Sequence, residues 1–519
     1  MHFPKQPLTA LGLLISLLPP AALAQNTANS KLSNVQHVLL ISVDGLHALD
    51  LANYVTSHKD STLAFLSRQG VTYTNDSTTT PSDSFPGLAS LVTGGSPVTS
   101  GLWYDDTYNR ALSPPRHTDG LGNPGGPCPG KIGTNVAWDE SIDTDLRELN
   151  GDGINPDYLV RDPKNNCQTI MPHQYLRVNT IFEVVKANGG TTAWTDKHPS
   201  YEWTNGPSGH GVDDFYGPEI NSIPIALPQF PGCSPVPFKD NTYDDGWTTN
   251  LLNIQCYDLL HVQAVLNQID GLTHDGKPST VPTLFGTNFQ SVSVGEKLAG
   301  NGYTDVLGTP SQGLAGQLDF VDQQLGRMVL ELKKKGLLAS TLIIIGAKHG
   351  QSPIDQTKKV AIGNGQPTAT IGSADAFDIS DDGSLIWLTD QELTDSVVAN
   401  LSMTQNQEAL GIQEIFAGQS LIDKWDSPAG DPRTPDIVLK VNTGVIFTGG
   451  SKIAEHGGMN EDDVHVALLV SYAGLQPQTV RTAVLNQQVA PTIIRALGFN
   501  PNQLQAVQKE GIQVLPFLF

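Results

Sequence analysis

A serine stands directly ahead of an apolar helical pattern in the stretch TPSDSFPGLASLVTGG, which runs from Thr80 to Gly95. Serine is a favoured N-cap and Pro86 suits a first helical turn, so Ser84 is predicted to cap a helix that begins at Phe85. The same position places a hydroxyl at the positive end of a helix, where phosphate or sulfate groups bind. Ser84 is therefore a candidate nucleophile as well as a cap.

Several short apolar runs do not alternate with polar residues, a pattern typical of buried strands in a parallel sheet. These runs are His37–Val43, Thr191–Trp194, Thr283–Gly286, Leu342–Gly346 and Val464–Ser471. Polar residues that could do chemistry follow all but the last run: Asp44, Lys197, His198, Asn288, Lys348 and His349. Open α/β sheets bind ligands outside the carboxyl ends of their strands, so these side chains predict an active site at one edge of the sheet.

Helical patterns lie between the predicted strands. The clearest runs from Leu314 to Leu332, with apolar residues at steps of four and three, and it ends before Gly336. Strands alternating with such helices predict an α/β fold, with a mostly parallel central sheet and helices on both faces. Residues from about 104 to 281 are rich in glycine, proline, aspartate and aromatic side chains, and they predict a long, loop-rich insertion interrupted by one core strand.

The first residues have the features of a signal peptide. Lys5 precedes an apolar run from Leu8 to Leu18, and Ala22-Leu23-Ala24 offers a small-residue cleavage site. We therefore predict a signal peptide over residues 1–24 and a single domain over residues 25–519. No later segment approaches the length of a membrane span, so the protein is predicted to be secreted, or periplasmic if its host is bacterial.

The cysteines fit an oxidising compartment. Cys128, Cys167, Cys233 and Cys256 form no CxxC pair, which favours one or two disulfides over a zinc ribbon and leaves their pairing open. Asn75 and Asn400 begin N-x-S sequons, so a eukaryotic host would make a glycoprotein.

The formal net charge is −22. A strongly acidic chain is repelled by nucleic acid polymers and anionic membranes, so neither is an expected partner. No pattern in the sequence specifies an oligomeric state.

The order of the motifs resembles that of the alkaline phosphatase superfamily. The motifs are ISVDG at 41–45, SFPG at 84–87, AKHG at 347–350 and EHGG at 455–458. Within that superfamily they are similar to the type I phosphodiesterase/nucleotide pyrophosphatase proteins, from about Val35 to the C-terminus and most weakly in the insertion. The resemblance implies an alkaline phosphatase-like fold and a metal-dependent hydrolase of small phosphate esters, most simply a phosphodiesterase.

The resemblance also implies roles for particular residues. The nucleophile would be Ser84, forming a phosphoserine, and the helix that follows it would supply donors to the oxyanion. A divalent metal, expected to be zinc as one ion or a weakly held pair, would be bound by Asp44, Ser84, His349, His456 and Asn288.

Two departures from the family pattern bear on the metal. Lys348 stands where the carboxylate of an Asp-His-Gly motif is expected, and Asn288 to Val292 replaces an Asp-x-x-x-His pattern. Since an ammonium group repels a divalent cation, Lys348 is expected to turn toward the substrate and supply positive charge itself; the alternative is that its surroundings deprotonate it.

A second resemblance concerns Lys197 and His198. Sulfatases of the same superfamily place a lysine and a histidine at a similar strand end, so Lys197 would hold an anionic oxygen and His198 would protonate a leaving group. An ordinary surface loop is an equally good interpretation of Lys197 and His198.

The alternatives for the function of the whole protein are a sulfatase, a phosphomonoesterase or a phosphonate hydrolase on the same fold, and a non-catalytic secreted protein that has lost part of the metal site.

Overall fold

The computed structural model describes residues 32–118, 123–149, 153–223, 226–233 and 247–519. The predicted signal peptide, residues 1–24, lies outside the described residues. Within the described ranges, no helix is both long enough and apolar enough to cross a membrane.

The strands vary from two to eight residues in length. Among the described residues they are β1 (His37–Val43), β2 (Gly70–Ser77), β3 (Asp106–Asn109), β4 (His117–Thr118), β5 (Asn123–Pro124), β6 (Thr134–Ala137), β7 (Arg161–Asp162), β8 (Gln168–Thr169), β9 (Ala193–Thr195), β10 (Asp214–Tyr216), β11 (Leu284–Phe289), β12 (Thr341–Gly346), β13 (Val360–Ile362), β14 (Asp375–Ser380), β15 (Gly383–Leu388), β16 (Ile412–Ala417), β17 (Ile437–Val441), β18 (Val445–Phe447), β19 (His465–Ser471), β20 (Gln478–Val480) and β21 (Val484–Leu485).

The helices surround these strands and connect most of them. Over the same described ranges they are α1 (Ala48–Ser57), α2 (Thr62–Ser67), α3 (Ser84–Thr93), α4 (Pro97–Ser100), α5 (Pro172–Tyr175), α6 (Ile181–Ala187), α7 (Leu251–Ile269), α8 (Ser291–Lys297), α9 (Gln312–Lys334), α10 (Gln366–Ile371), α11 (Thr394–Leu401), α12 (Thr404–Leu410), α13 (Gln419–Lys424), α14 (Glu461–Val464), α15 (Val489–Ala496) and α16 (Gln505–Glu510).

The large central sheet has the strand order β10-β9-β11-β1-β12-β19-β2-β20, with β21 also pairing with β2. β1 pairs in parallel with β11 and with β12, whereas β19 is antiparallel to both of its neighbours. The predicted mostly parallel α/β sheet is therefore confirmed. Because β19 runs the opposite way, the segment that enters it lies at the same edge as the carboxyl ends of β1, β11 and β12.

Both faces of the sheet are covered, as the unbroken apolar runs predict. Val38 and Leu40 of β1 pack in one apolar cluster with residues of α3 and α15. Leu39 and Ile41 pack in another, which includes Leu314 and its neighbours in α9. Side chains alternate along a strand, so one strand supplies both cores and its end is held rigidly between two layers.

The region predicted as an insertion contributes more to the sheet than expected. The expectation of one core strand there is wrong, since both β9 and β10 belong to the central sheet. β10 has only three residues, too few to give an apolar run. Cysteines in this region form the disulfides Cys128–Cys167 and Cys233–Cys256, which confirms the predicted disulfides and settles their pairing.

Helix α3 packs unusually closely against the loop that follows β12. A Cβ atom added to Gly87 would lie 2.7 Å from the carbonyl carbon of Lys348 and still closer to its oxygen. That oxygen also accepts a hydrogen bond of 2.6 Å from the Thr78 hydroxyl. Gly87 therefore allows the helix that begins at Ser84 to lie against the backbone beside His349.

Gly87→Ala is expected to lower the free energy of unfolding by about 1–3 kcal/mol, because the added methyl group overlaps backbone atoms that cannot move independently. Urea unfolding followed by circular dichroism measures the change. Gly316→Ala is the matched control: a Cβ at this position of α9 meets nothing within 4 Å, so the same substitution should stabilise the protein by about 0.5–1 kcal/mol. Equal effects of the two substitutions would contradict the proposed close approach at Gly87.

Candidate active site

Ser84 is the first residue of α3, and it is almost fully buried. The N-cap is Asp83 rather than Ser84, which corrects the prediction from sequence: Asp83 Oδ2 accepts the N–H of Phe85 at 2.8 Å. The N–H of Gly87 donates to the Asp83 carbonyl, and Pro86 has no N–H. The donors expected for an oxyanion from Phe85 and Gly87 are therefore already engaged, and the Ser84 hydroxyl is left for chemistry.

The Ser84 hydroxyl lies between a cationic donor and an imidazole. Lys197 Nζ donates to Ser84 Oγ at 2.8 Å, and His349 Nε2 lies 3.2 Å from the same oxygen. His349 Nδ1 lies 2.8 Å from the Gly350 carbonyl, so the neutral ring carries its proton on Nδ1 and presents a lone pair at Nε2. Burial lowers the pKa of His349, and Asp44 opposes that shift only in part. Ser84 can thus accept from Lys197 while donating to His349.

Asp44 directly follows β1 and is fully buried. Its Oδ1 accepts the Asn288 amide at 2.7 Å, and its Oδ2 accepts the Gln290 amide at 2.6 Å. Lys197 Nζ and Lys348 Nζ lie 3.8 and 3.9 Å from Oδ2. Burial alone would raise the pKa of Asp44, but Lys348, together with His349 and Lys197, holds it well below its usual value, so the group is a carboxylate.

Lys348 follows β12 and is also fully buried. Its Nζ donates to Asp196 Oδ1 at 2.6 Å and lies 4.2 Å from the centre of the Tyr201 ring. Burial raises the pKa of Asp196, and the charge of Lys348 acts against that rise. Lys348 therefore contributes its charge from beneath the site, and the side chain does not turn outward as the sequence suggested.

The two remaining histidines of the prediction, His456 and His198, have different partners. The ring of His456 lies 3.8 Å from that of His349, centre to centre, and its Nδ1 lies 3.8 Å from Asp83 Oδ1. Burial lowers the pKa of His456 well below its usual value, so the ring is neutral. His198 directs Nδ1 at the carboxyl group of Glu219, with both oxygens at 2.8 Å.

The structure thus connects Asp44, Ser84, Lys197, Asn288, Lys348 and His349 through contacts to Asp44 and Ser84, with His456 joined through the ring of His349. Sequence reasoning missed the partners of the charged groups, Asp196 and Glu219. Asp196 had a usable signal, because it immediately follows β9 and precedes Lys197. Glu219 had none, since it lies in a loop of the insertion.

The residues around Asp44 do not fit the divalent metal that the family resemblance implies. Both carboxylate oxygens accept amide N–H groups, and two ammonium groups lie within 4 Å of Oδ2. Each ammonium would repel a divalent cation about 4 Å away by about 8 kcal/mol at an effective dielectric near 20. Among the described residues, moreover, Asp44, His349 and His456 do not form a group whose ligand atoms all lie within 4.8 Å of one another.

A candidate group of metal-ligating side chains does lie behind the site, formed by His47, Asp50 and Glu296, all buried. His47 Nδ1 lies 2.8 Å from Asp50 Oδ2, and its Nε2 lies 2.9 Å from the Gln351 carbonyl. Burial alone would lower the pKa of His47, but Glu296 and Asp50 raise it well above its usual value. These hydrogen bonds make the group a network that ties the loop after β1 to the loop after β12.

Two comparisons place these observations among known proteins. The family model described as "Type I phosphodiesterase / nucleotide pyrophosphatase" matches residues 38–147 and 272–463, more than half of the chain, and the unmatched stretch between them falls in the predicted insertion. No curated protein has a sequence that matches this chain.

Solved structures share the fold at low sequence identity. The murine ectonucleotide pyrophosphatase/phosphodiesterase 5 has a TM-score of 0.57 and 13% identity, and the human protein of that name has 0.52 and 15%. The wild-type alkaline phosphatase PafA has a TM-score of 0.59 and 14% identity. In each case the match covers 90% of this chain and 96% of the other chain.

The fold is therefore that of alkaline phosphatase, as the ordered motifs predict. Since the family model matches more than half of the chain, including Asp44, Ser84 and His349, the chain belongs to the type I phosphodiesterase/nucleotide pyrophosphatase family and is a hydrolase of phosphate esters.

Proposed function

We propose that this protein hydrolyses phosphodiesters through a covalent phosphoserine formed on Ser84. The observation that carries this proposal is the hydrogen-bond pattern of the Ser84 hydroxyl, which accepts from Lys197 and faces the lone pair of His349. A hydroxyl is a weak nucleophile unless a base removes its proton or a nearby cation stabilises the oxyanion. For Ser84, His349 can be the base and Lys197 the cation.

In the first step, Ser84 Oγ attacks phosphorus and its proton passes to His349 Nε2. The new Oγ–P bond forms as the bond from phosphorus to the leaving oxygen breaks. Lys197 is positioned to stabilise negative charge on the attacking oxygen and on the non-bridging phosphate oxygens, because it already donates to Ser84. Lys348 does not contact the substrate in this proposal. It acts through Asp44, whose negative charge it partly neutralises from 3.9 Å.

The leaving oxygen takes its proton from His198 in this proposal. Glu219 engages Nδ1 of His198, and we assign the proton exchange with the substrate to Nε2. In the second step His198 accepts a proton from water, which attacks the phosphoserine. The Oγ–P bond breaks, and His349 returns its proton to Ser84. The products are an alcohol and a phosphate monoester.

The charge of the site favours a diester over a monoester. Lys197 and Lys348 are balanced by Asp44 and Asp196, Asp83 and Asp105 also lie near Lys197, and burial lowers the pKa values of His349 and His456. A diester carries one negative charge at neutral pH, and a monoester carries up to two. A site without excess positive charge accommodates the single charge at lower electrostatic cost.

Secretion remains part of the proposal. The disulfides are typical of an oxidising compartment, and both lie within the predicted insertion. The signal peptide, the zinc requirement and the sequons at Asn75 and Asn400 stay predictions from sequence. No step above passes through a metal, because the residues around Asp44 do not fit one.

Ser84→Ala is expected to lower kcat/KM for a chromogenic diester by at least about 10³-fold, because it removes the nucleophile. The rate of 4-nitrophenol release from bis(4-nitrophenyl) phosphate measures this loss. Ser90→Ala is the matched control: Ser90 is buried in the same helix, but its hydroxyl donates to the Gly87 carbonyl. Wild-type turnover in Ser84→Ala would rule out the covalent mechanism.

A substrate comparison tests the charge argument. With 4-nitrophenol as the common leaving group, the diester is expected to be cleaved with a kcat/KM at least about tenfold higher than the monoester, equivalent to about 1.4 kcal/mol. The sulfate ester is included because the sulfatase alternative predicts it as the best substrate. Preference for the monoester would contradict the charge balance described above.

Glu219→Gln is expected to act through His198 and therefore to depend on the leaving group. Turnover of a diester that releases phenol should fall by about 10²-fold, while release of 4-nitrophenol, which departs without a proton, should change far less. Glu202→Gln is the control, since Glu202 holds Nδ1 of His173 in the same way. Equal losses for both leaving groups would indicate a structural role for Glu219 instead.

A further inference from the structure

We infer that this site works without a divalent cation, and that the ammonium group of Lys197 takes the place in which the family resemblance puts the metal. This inference rests on the proposed function and departs from the metal-dependent mechanism that the resemblance implies. It is carried by four features of the site: the position of Lys197, the charge balance around Asp44, the amides that face Asp44, and the loss of the second set of ligands.

Lys197 Nζ occupies the space between the atoms that would hold a cation. It lies 2.8 Å from Ser84 Oγ and 3.8 Å from Asp44 Oδ2. His349 Nε2 lies 3.2 Å from the same serine oxygen and 3.5 Å from the same carboxylate oxygen. An ammonium group therefore stands among the nucleophile, the carboxylate and the imidazole, and contacts the nucleophile directly.

The charges immediately around Asp44 are balanced without a metal. Lys348 Nζ lies between Asp196 Oδ1 at 2.6 Å and Asp44 Oδ2 at 3.9 Å. Around Asp44 two ammonium groups thus face two carboxylates, and the carboxyl groups of Asp83 and Asp105 also lie near Lys197, their pKa values raised by burial. Beside Asp44, a divalent ion would place two more positive charges next to two ammonium groups, which is costly in a buried site.

The neutral side chains around Asp44 complete this arrangement. Asn288 and Gln290 direct their amide N–H groups at the two oxygens of Asp44, and Gln290 also donates to the side-chain carbonyl of Asn288. Both amides therefore act as hydrogen-bond donors to the carboxylate. Each oxygen of Asp44 therefore already accepts one amide hydrogen bond, and the two ammonium groups lie within 4 Å of Oδ2.

The ligands that the Asp-x-x-x-His pattern of the resemblance would supply are also missing, because Asn288 to Val292 replaces that pattern. Val292 stands where that pattern has a histidine, and it is fully buried in the apolar cluster that contains Phe289 and Leu314. His456 is left with a neutral ring whose Nδ1 has no hydrogen-bond partner among the described residues. Over the described ranges His456 Nδ1 faces only Asp83 Oδ1, at 3.8 Å, and these two side chains fall short of the three protein ligands that a zinc site takes.

The first test measures zinc and turnover in the wild-type protein. Zinc is added, the excess is removed by gel filtration, and bound zinc is counted by elemental analysis beside the kcat/KM for bis(4-nitrophenyl) phosphate with and without chelator. We expect much less than stoichiometric zinc at this site, and a kcat/KM that changes by less than about twofold when chelator is added. Chelator-sensitive turnover that zinc restores would overturn the inference. So would stoichiometric zinc that is lost in His349→Ala.

The second test removes the ammonium group. Lys197→Met keeps the length of the side chain but not its charge, and should lower kcat/KM by at least about 10²-fold, the loss typical of removing one charge-stabilising donor. Lys335→Met is the matched control, because Lys335 pairs with Asp270 on the surface. Thermal unfolding of both variants separates loss of the site from loss of the fold. Wild-type turnover in a folded Lys197→Met would overturn the inference.

The two levels of the proposal fail differently. If Ser84→Ala turns over every phosphate ester that the wild-type protein turns over, the proposed function fails. If turnover depends on Ser84 but requires zinc, the proposed function stands and only the metal-free site is wrong.

Discussion

The balance of buried charge at the carboxyl ends of β1, β9 and β12 constrains the whole active site. Asp44, Lys348 and Asp196 are fully buried and ion-paired, and Lys197 adjoins them. Removing one member of such a group leaves an uncompensated charge in a low dielectric, at a typical cost of 3–5 kcal/mol. The strand ends, the helix that carries Ser84 and the loops between them must therefore keep one relative arrangement.

The fold provides that arrangement by converging on the site from separate layers. The antiparallel course of β19 brings the loop that precedes it, with His456, to the edge where the parallel strands end. The antiparallel sheet β14-β15-β17-β16 supports that loop from outside: Tyr104 donates to Asp381 at 2.5 Å and also contacts the His456 carbonyl. The network centred on His47 holds the loops after β1 and β12 from behind.

Sequence alone predicted where the chemistry lies better than what each group does. Unbroken apolar runs located the strands, and strand ends located Asp44, Lys197 and His349, because parallel topology fixes that edge. The direction in which a lysine side chain points could not be predicted in this way, since it depends on the nearest carboxylate in space. Lys348 and Asp196 are 152 residues apart in the chain, so no local pattern pairs them. The Asp83 cap was missed for a related reason, since serine and aspartate are equally good caps in adjacent positions.

Replacing a metal ion by an ammonium group changes what the neighbouring residues must do. A metal activates a bound hydroxyl by lowering its pKa directly, whereas an ammonium donates a directional hydrogen bond and offers the oxygen a single charge. The serine proton then needs an acceptor. An imidazole lone pair can bind a cation or accept a proton, and the Gly350 carbonyl fixes that lone pair on Nε2 in either case. With Lys197 beside Ser84, His349 can serve as the base without any change in its position.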